Sequence, residues 1–325
     1  MTKKTLILSN ATDDAHVHRL VAEFDQLGHP WAIFDPGDFP DKEHISASIS
    51  NDARHSSLLL ADGRRIVLED FTSVWYRRPT RIFPRDDLPG MEQTFIQREA
   101  NAGIWGWLRG LQAFWVNHPD AVRAAGHKPE QLQRAAALGL PIPHSLVTNE
   151  PEALKQFYEE CHGNVIYKLM GYPWYTDKDE MPISTYTSLV SREMLAEAHR
   201  VTATAHLFQE FVVKKCDVRV TIIGEEVFAT EIHPLSEETQ IDFRADYGKL
   251  FHAPHTLPDH LRERLLALTR SYHLAYAGID LLLTPDDRYI YLELNALGQF
   301  GWLEGRTGVP LYRKLATLLI EGEYA

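Results

Sequence analysis

The stretch Tyr289-Ile-Tyr-Leu-Glu-Leu-Asn295, preceded by Gly278-Ile-Asp280-Leu-Leu-Leu-Thr-Pro-Asp-Asp287, predicts a β-hairpin. Side chains alternate along a strand, so Glu293 and Asn295 are expected on one face of the second strand. The other face is expected to carry the apolar residues Ile290, Leu292 and Leu294. The hairpin therefore directs oxygen atoms to one side and hydrocarbon to the other.

The turn of this hairpin decides which residues of the two strands face each other. If residues 285–288 form the turn, Thr284 pairs with Tyr289 and Asp280 pairs with Glu293. Directly opposed residues project to the same side, so Asp280, Glu293 and Asn295 converge. Mg²⁺ takes oxygen ligands and is usually held by one or two carboxylates together with substrate phosphates, which predicts a magnesium site here. An edge hairpin with solvated acids is the alternative that the motif leaves open.

Length and composition indicate a globular protein with two or three subdomains. The chain has 325 residues, of which 44% are hydrophobic and 24% are charged, and its net charge is -12. This charge argues against nucleic-acid and anionic-membrane surfaces, and no apolar run approaches the roughly 20 residues that cross a bilayer. We therefore expect a cytoplasmic protein. Cys161 and Cys216 stand in unrelated contexts and support neither a disulfide framework nor a zinc cluster.

The order of elements predicts an α/β (α+β) fold in three parts. A strand at 5–9, a helix at 13–27 and a strand at 31–34 open a small α/β domain over 1–118. From about Pro119 a second α/β pattern predicts a central subdomain over 119–206. Strands at 207–213, 218–223 and 227–232 are expected to form an antiparallel run, and a helix over 259–276 leads into the hairpin. These elements predict a C-terminal antiparallel-sheet subdomain over 207–325.

Two lysines are candidates for phosphate contacts. Lys168 ends a predicted strand before Gly171 and a polar loop, and Lys128 begins a helix after Gly126. An ammonium group on a long stem neutralises phosphate oxygens as a point charge. A solvated lysine at the end of a strand is the alternative for each.

Three further segments carry polar groups that could bind a ligand. The extended stretch Gln209-Glu-Phe-Val212 could present backbone groups to a base edge, although a core strand is equally compatible. Asp217 and Arg219 lie two residues apart on a predicted strand and share a face, and Asp242-Phe-Arg244 repeats the pattern in a loop. A surface salt bridge is the alternative for Asp217 and Arg219, and Asp242 and Arg244 indicate function only together with the other segments.

Taken in order, these residues resemble the ATP-grasp ligases. The resemblance implies that Lys128 and Lys168 contact the phosphates of ATP, that Gln209, Glu210, Phe211 and Val212 form the adenine hinge, and that Asp217 faces the ribose. It also implies that Asp280, Glu293 and Asn295 bind Mg²⁺. The fold implied is an N-terminal pre-ATP-grasp α/β domain followed by the two ATP-grasp subdomains.

Within that superfamily the chain is most similar to the microviridin-type peptide maturases, the graspetide macrocyclases. The segments that carry this similarity are Val74-Trp-Tyr-Arg-Arg-Pro79, Asn117-His-Pro119, Asp217-Val-Arg-Val-Thr221, Ile241-Asp-Phe-Arg244 and Leu292-Glu-Leu-Asn-Ala-Leu-Gly-Gln-Phe-Gly-Trp302. The family usually has Asn-Pro-Asn-Gly-Gln where this chain has Asn295-Ala-Leu-Gly-Gln299. Gly278 stands where D-alanine ligases carry a catalytic arginine, so Arg219 or Arg244 would have to serve.

The resemblance implies an ATP-dependent ligase that activates Asp or Glu side chains of a ribosomal precursor peptide as acyl phosphates. A hydroxyl or amine of the same peptide then displaces phosphate, giving a macrocyclic ester or amide. Lys168, Arg219 and Arg244 are the implied catalytic residues, and the loop over 171–180 is expected to close over the triphosphate. The implied partner is a peptide with leader and core, and relatives are often homodimers. A RimK-type ligase that adds an amino acid, or a nucleotide-binding regulator without turnover, are the alternatives.

Overall fold

The N-terminal part of the chain is built on a parallel sheet. The computed structural model describes residues 3–10, 15–83, 87–171, 174–176, 182–184 and 187–323. The elements of this part are β1 (Thr5–Ser9), α1 (Ala15–Leu27), β2 (Trp31–Phe34), β3 (His44–Ile49), β4 (Arg54–Leu59), β5 (Arg65–Val67), β6 (Ser73–Arg78), α2 (Gly90–Arg109) and β7 (Phe114–Val116). The parallel sheet has the order β2-β1-β6-β7, and β3, β4 and β5 form a separate antiparallel sheet. The opening βαβ unit is therefore present as the sequence predicts.

The central part holds a second, antiparallel sheet. Its elements are α3 (Pro119–Ala124), α4 (Lys128–Ala137), β8 (Ser145–Thr148), α5 (Pro151–Glu160), β9 (Val165–Lys168), β10 (Trp174–Thr176), β11 (Pro182–Ser184), β12 (Ser188–Leu189), α6 (Arg192–Ala196) and β13 (His206–Glu210). The sheet order is β12-β9-β13-β8. The predicted antiparallel run from 207 to 232 is wrong in this respect, because β13 pairs with β8 and β9. We propose that the boundary between the central and C-terminal subdomains follows β13.

The C-terminal part is dominated by a five-stranded antiparallel sheet with the order β16-β15-β14-β17-β18. Its elements are β14 (Cys216–Ile223), β15 (Glu226–Pro234), α7 (Glu237–Ile241), β16 (Leu250–His255), α8 (Asp259–Ser271), β17 (Tyr276–Leu283), β18 (Tyr289–Asn295), α9 (Gly301–Thr307) and α10 (Leu311–Glu321). The helix predicted to reach Tyr276 ends at Ser271, and His273 takes a φ of 56°, which a continuing helix does not allow. Strand β16 was not predicted.

The five-stranded sheet has one apolar and one polar face. Alternate residues of β14 and β17, including Val218, Val220, Ile279 and Leu281, pack into a core that also takes in α4 and α8. The intervening residues project from the opposite face. That face therefore carries Asp217, Arg219, Asp280, Glu293 and Asn295.

The hairpin has the predicted pairing of Asp280 with Glu293, but its turn pairing differs from the prediction. Leu283, not Thr284, lies opposite Tyr289, and a β-bulge between the pairs Leu281–Tyr291 and Asp280–Glu293 inserts one extra residue. The expectation that Ile290 points away from Glu293 is wrong, because the bulge resets the alternation and Ile290 pairs with Leu282 on the polar face. Asp280 nevertheless opposes Glu293. Within the described residues, no helix combines the length and apolar character needed to cross a bilayer.

Candidate active site

The side chains of the three predicted Mg²⁺ ligands, Asp280, Glu293 and Asn295, converge on the polar face of the hairpin. The Asn295 side-chain nitrogen lies 3.2 Å from Asp280 Oδ2 and 3.3 Å from Glu293 Oε1. The Asn295 amide thus lies within hydrogen-bond distance of the carboxylates of Asp280 and Glu293, which stand on neighbouring strands. An oxygen-rich donor set of this kind fits Mg²⁺, and these are the residues that would hold it.

Both predicted phosphate lysines lie beside Glu293. The Lys128 ammonium is 3.1 Å from Glu293 Oε2 and donates to the Leu169 carbonyl at 2.8 Å. Lys168 ends β9 close enough to influence Glu293 electrostatically, and its ammonium forms no hydrogen bond or ion pair with another described residue. The structure therefore brings two lysines near the acidic pair, of which Lys128 is the one bound to Glu293 among the described residues.

Burial and neighbouring charges shift the pKa values of these groups in opposite directions. Burial raises the pKa of Asp280, and Glu293 reinforces this while Arg219 opposes it. Burial also acts to raise the pKa of Glu293, but Lys128, Lys168 and Arg244 together outweigh it and lower the pKa. Burial lowers the pKa of Lys168. A cation placed between the carboxylates would relieve the desolvation that disfavours ionised Asp280.

Arg219 is enclosed beneath the hairpin. Its NH1 donates to both carboxylate oxygens of Asp280 at 2.7 Å, and its NH2 reaches the Gln299 carbonyl at 3.3 Å. A Cβ at Gly278 would lie 3.1 Å from the guanidinium carbon of Arg219, and one at Gly298 would lie 3.0 Å from NH2. The two glycines thus make the space that the guanidinium occupies, and Arg219 fixes the orientation of Asp280.

Arg244 has a similar partner but a more open position. It donates to Asp242 through Nε at 2.8 Å and NH2 at 2.6 Å, while Asp242 also accepts the Thr187 amide at 3.2 Å. Its side chain is 38% exposed, against 9% for Arg219. The hydrogen bonds to Asp242 raise the pKa of Arg244, so it stays charged.

The predicted hinge contains polar groups without hydrogen-bond partners among the described residues. Gln209 is buried and donates to Ser145 Oγ at 2.9 Å, while its side-chain oxygen has no partner among the described residues. The backbone amides of Glu210 and Phe211 donate hydrogen bonds to carbonyl oxygens of neighbouring segments. Within the described residues, the Val212 amide donates no hydrogen bond to another backbone group. The adenine contact of these residues stays a prediction.

Asp217 forms a buried ion pair through one of its carboxylate oxygens. Its Oδ2 accepts a hydrogen bond from Lys214 at 2.6 Å, and both side chains are buried. Burial raises the pKa of Asp217 to about 6, although Lys214 opposes the shift. The ribose contact predicted for Asp217 is thus untested, and it would require this ion pair to share an oxygen or to open.

The predicted closing loop over 171–180 lies for the most part outside the described residues. Gly171 and the strand β10 are described, and β10 pairs with β11 as an antiparallel ribbon. The predicted strand over 185–189 is described only from residue 187 and contains β12. The closure of this segment over a triphosphate stays a prediction.

Sequence analysis missed Gln131, which joins α4 to β18. Its Nε2 donates to the carbonyls of Ala125 and Leu294, and its Oε1 accepts from the Tyr291 hydroxyl at 2.9 Å and the Leu294 amide at 2.8 Å. This buried amide fixes the helix of Lys128 against the strand of Glu293. A single Gln in a helix gives no sequence signal, because its partners lie far along the chain.

Replacing Gln131 with methionine is expected to lower the free energy of unfolding by about 1–3 kcal/mol, because four buried backbone and hydroxyl groups lose their partner. The KM for ATP is expected to rise as Lys128 loses its fixed position. Gln133→Met, on the exposed side of the same helix, is the matched control. Urea unfolding and initial-rate kinetics measure the two effects, and equal stability of both variants would contradict the role given to Gln131.

Two family models match most of the chain. Residues 4–123 match the family model described as the MvdD pre-ATP grasp domain, and residues 127–319 match the RimK-like ATP-grasp domain. The fold and its site define an ATP-grasp ligase, which forms bonds at the expense of ATP. The chain belongs to the RimK-like ATP-grasp family. The resemblance and the fold class predicted from sequence are thereby confirmed.

Solved structures of peptide ligases are similar over nearly the whole chain. A RiPP-associated ATP-grasp ligase of Chryseobacterium gregarium, in complex with ADP and a leader and core peptide, has 27% identity and a TM-score of 0.91, covering 99% of this chain and 97% of its own. The macrocyclase MdnC of Microcystis aeruginosa MRC, bound with precursor peptide MdnA, has 27% identity and a TM-score of 0.86 over 98% and 99%.

A curated relative points to a different acceptor. The glutamate–LysW ligase ArgX of Sulfurisphaera tokodaii is 24% identical over 224 residues, which cover 63% of this chain and 72% of ArgX. Both kinds of relative include proteins named as ligases. The reaction class is therefore established, and the identity of the molecule that receives the activated carboxylate is a separate question.

Proposed function

We propose that the protein is a peptide macrocyclase that activates Asp or Glu side chains of a ribosomal precursor peptide and joins them to hydroxyls or amines of the same peptide. The similarity to a ligase in complex with a leader and core peptide carries this proposal, because it extends over 99% of the chain, including the N-terminal domain. The amino-acid ligase relatives align with 63% and 87% of the chain, at 24% and 22% identity.

The reaction requires a carboxylate to become a competent electrophile. A substrate carboxylate oxygen attacks the γ-phosphorus of ATP, the bond to ADP breaks, and an acyl phosphate forms. A hydroxyl or amine of the peptide then attacks the acyl carbon, loses its proton, and expels phosphate. Mg²⁺, when bound, would offset charge on the transferred phosphoryl oxygens. Each ring formed removes one water from the peptide.

The positions of the basic residues suggest how the chain serves these steps. Lys168 forms no hydrogen bond or ion pair with another described residue, and we propose that its ammonium contacts the transferred phosphoryl group, with Lys128 nearby. Arg244 is the more exposed arginine, and we assign it to the acyl phosphate and the tetrahedral oxyanion. Arg219 would support the same centre through Asp280, which it holds by two hydrogen bonds.

Mass spectrometry tests the proposal directly. The purified protein is incubated with ATP, MgCl2 and a candidate precursor peptide rich in Thr, Ser, Glu and Asp, with ADP in place of ATP as the control. We expect a loss of one water per ring, only with ATP, and fragment ions missing from the cyclised region. An unchanged mass across such peptides would contradict macrocyclisation.

A ligase that adds an amino acid is the second candidate, and the similarity to the glutamate–LysW ligase favours it. The same assay separates the two functions when free glutamate is included. Addition of a glutamyl residue raises the peptide mass, whereas ring closure lowers it. An increase in mass that depends on glutamate would replace the macrocyclase proposal.

A further inference from the structure

A second cluster of potential ligands lies on the opposite face of the five-stranded sheet. Within the described residues, Cys216, Glu231 and His233 place a sulfur, a carboxylate oxygen and an imidazole nitrogen within 4.8 Å of one another. The sequence supported no zinc cluster, because Cys161 and Cys216 stand in unrelated contexts. Strand pairing brings them together, and this set is separate from Asp280, Glu293 and Asn295.

Sheet register explains why the three side chains meet. Val218 pairs with Glu231 and Asp217 pairs with Ile232, so Cys216 faces His233 one position further along β14 and β15. Residues two apart on a strand share a face, which places Glu231 and His233 on the same side as Cys216 and Val218. The Glu231 Oε2 to His233 Nε2 distance is 2.6 Å. Two adjacent strands thus supply the whole set.

Side chains on β16 and β18 form hydrogen bonds next to this cluster. His255, on β16, lies 2.7 Å through Nδ1 from Glu231 Oε1, and its Nε2 lies 2.7 Å from the Tyr289 hydroxyl. Partners of this kind fix the orientation of a ligating carboxylate and add to metal affinity. Cys216 is fully buried, while Glu231 and His233 are partly exposed, so an ion could enter from their side.

We propose that Cys216, Glu231 and His233 bind one zinc ion, or a divalent ion of similar softness, in each chain. Thiolate, imidazole and carboxylate are the ligands that zinc takes, whereas Mg²⁺ prefers oxygen alone. Binding would replace the hydrogen bond between Glu231 and His233 with bonds from each to the metal, and the Cys216 thiol would release its proton to solvent. Water would complete the tetrahedral set on the exposed side.

Such an ion would link β14 to β15 on the face of the sheet opposite the candidate active site. Cys216 is the neighbour of Asp217 along β14, and Arg219 follows on the same strand. The ion would therefore stabilise the sheet that carries the catalytic residues without contacting ATP. Its expected effect is a higher melting temperature, because it binds the folded chain and finds no preformed site in the unfolded one.

Cobalt titration tests the site, because a thiolate bound to Co²⁺ gives a charge-transfer absorption that oxygen ligands do not give. The titration is carried out in excess MgCl2 so that an oxygen-only site stays occupied. We expect one equivalent of Co²⁺ to produce the band, and Zn²⁺ to abolish it by displacement. Absence of the band, or a band that persists in Cys216→Ser, would overturn the proposal.

Matched variants distinguish a specific site from unspecific thiol binding. Cys161→Ser removes the other buried cysteine and is expected to keep the band. His255→Ala is expected to weaken Zn²⁺ binding by about 10-fold to 100-fold, as loss of a supporting partner does. His233→Ala, at a partly exposed position, is the second ligand variant if Cys216→Ser does not fold. Unchanged Zn²⁺ affinity in His233→Ala would also overturn the proposal.

Discussion

Replacing Glu293 with glutamine is expected to lower the rate of ATP-dependent ligation about a thousandfold, which corresponds to about 4 kcal/mol of lost transition-state stabilisation. Glu293 is the carboxylate on which the charges of Lys128, Lys168 and Arg244 converge, and these charges lower its pKa so that it stays ionised. Glutamine keeps the size and one oxygen of the side chain but removes the negative charge. The loss of ligation rate therefore measures the contribution of the negative charge and not that of side-chain packing.

The measurement is ADP release under single-turnover and steady-state conditions at saturating ATP and MgCl2. Glu226→Gln is the matched control, because Glu226 lies on the same sheet and, among the described residues, its side chain forms only a surface ion pair with Lys314 at 2.8 Å. That control is expected to retain its rate. A Glu293→Gln rate within tenfold of the parent would remove Glu293 from the metal-binding set.

Replacing Arg219 with alanine is expected to lower the free energy of unfolding by about 3–5 kcal/mol, the range for breaking a buried ion pair. Removal of the guanidinium leaves Asp280 buried with Glu293 as its nearest acid, and Asp280 already has a raised pKa. Without Arg219 that pKa rises further. The folded state then binds a proton that the unfolded state has released, so stability falls as the pH increases, and the loss is greatest near neutrality.

Urea unfolding at neutral and acidic pH measures this effect. Arg244→Ala is the comparison, because Arg244 is more exposed and its partner Asp242 also accepts the Thr187 amide. We expect a smaller loss there. The double variant Arg219→Ala/Asp280→Asn is expected to recover part of the stability, since it removes the unpaired charge. Equal losses in Arg219→Ala and Arg244→Ala would contradict the account.

Local pattern was sufficient to predict the hairpin and its acidic face, but not the way that face is built. Alternation placed Glu293 with Asn295, and antiparallel pairing placed Asp280 opposite Glu293. The bulge that corrects the register beyond Tyr291 leaves no sequence mark, because it depends on how both strands pack. As a result, the convergence of Asp280 and Glu293 was predicted correctly from a turn pairing that was wrong.

Contacts between distant segments were beyond sequence reasoning. The contacts of Gln131 with Leu294 and of Cys216 with His233 can be predicted only when the arrangement of the strands is known. Strand β13 has the alternation expected of any half-buried strand, so its pattern does not reveal that it joins β8 and β9. The partner of a strand is a property of topology, and a single sequence carries little information about it.

The space around Arg219 limits how a guanidinium can be supplied to this centre. Gly278 and Gly298 leave little room for another side chain, since Cβ atoms there would lie 3.1 Å and 3.0 Å from the Arg219 guanidinium, which would have to shift. The resemblance to D-alanine ligases implies that their arginine stands at the position of Gly278, on the neighbouring strand. Arginines at both positions would compete for the same space, so we expect Gly278→Arg to be accommodated best together with Arg219→Gly.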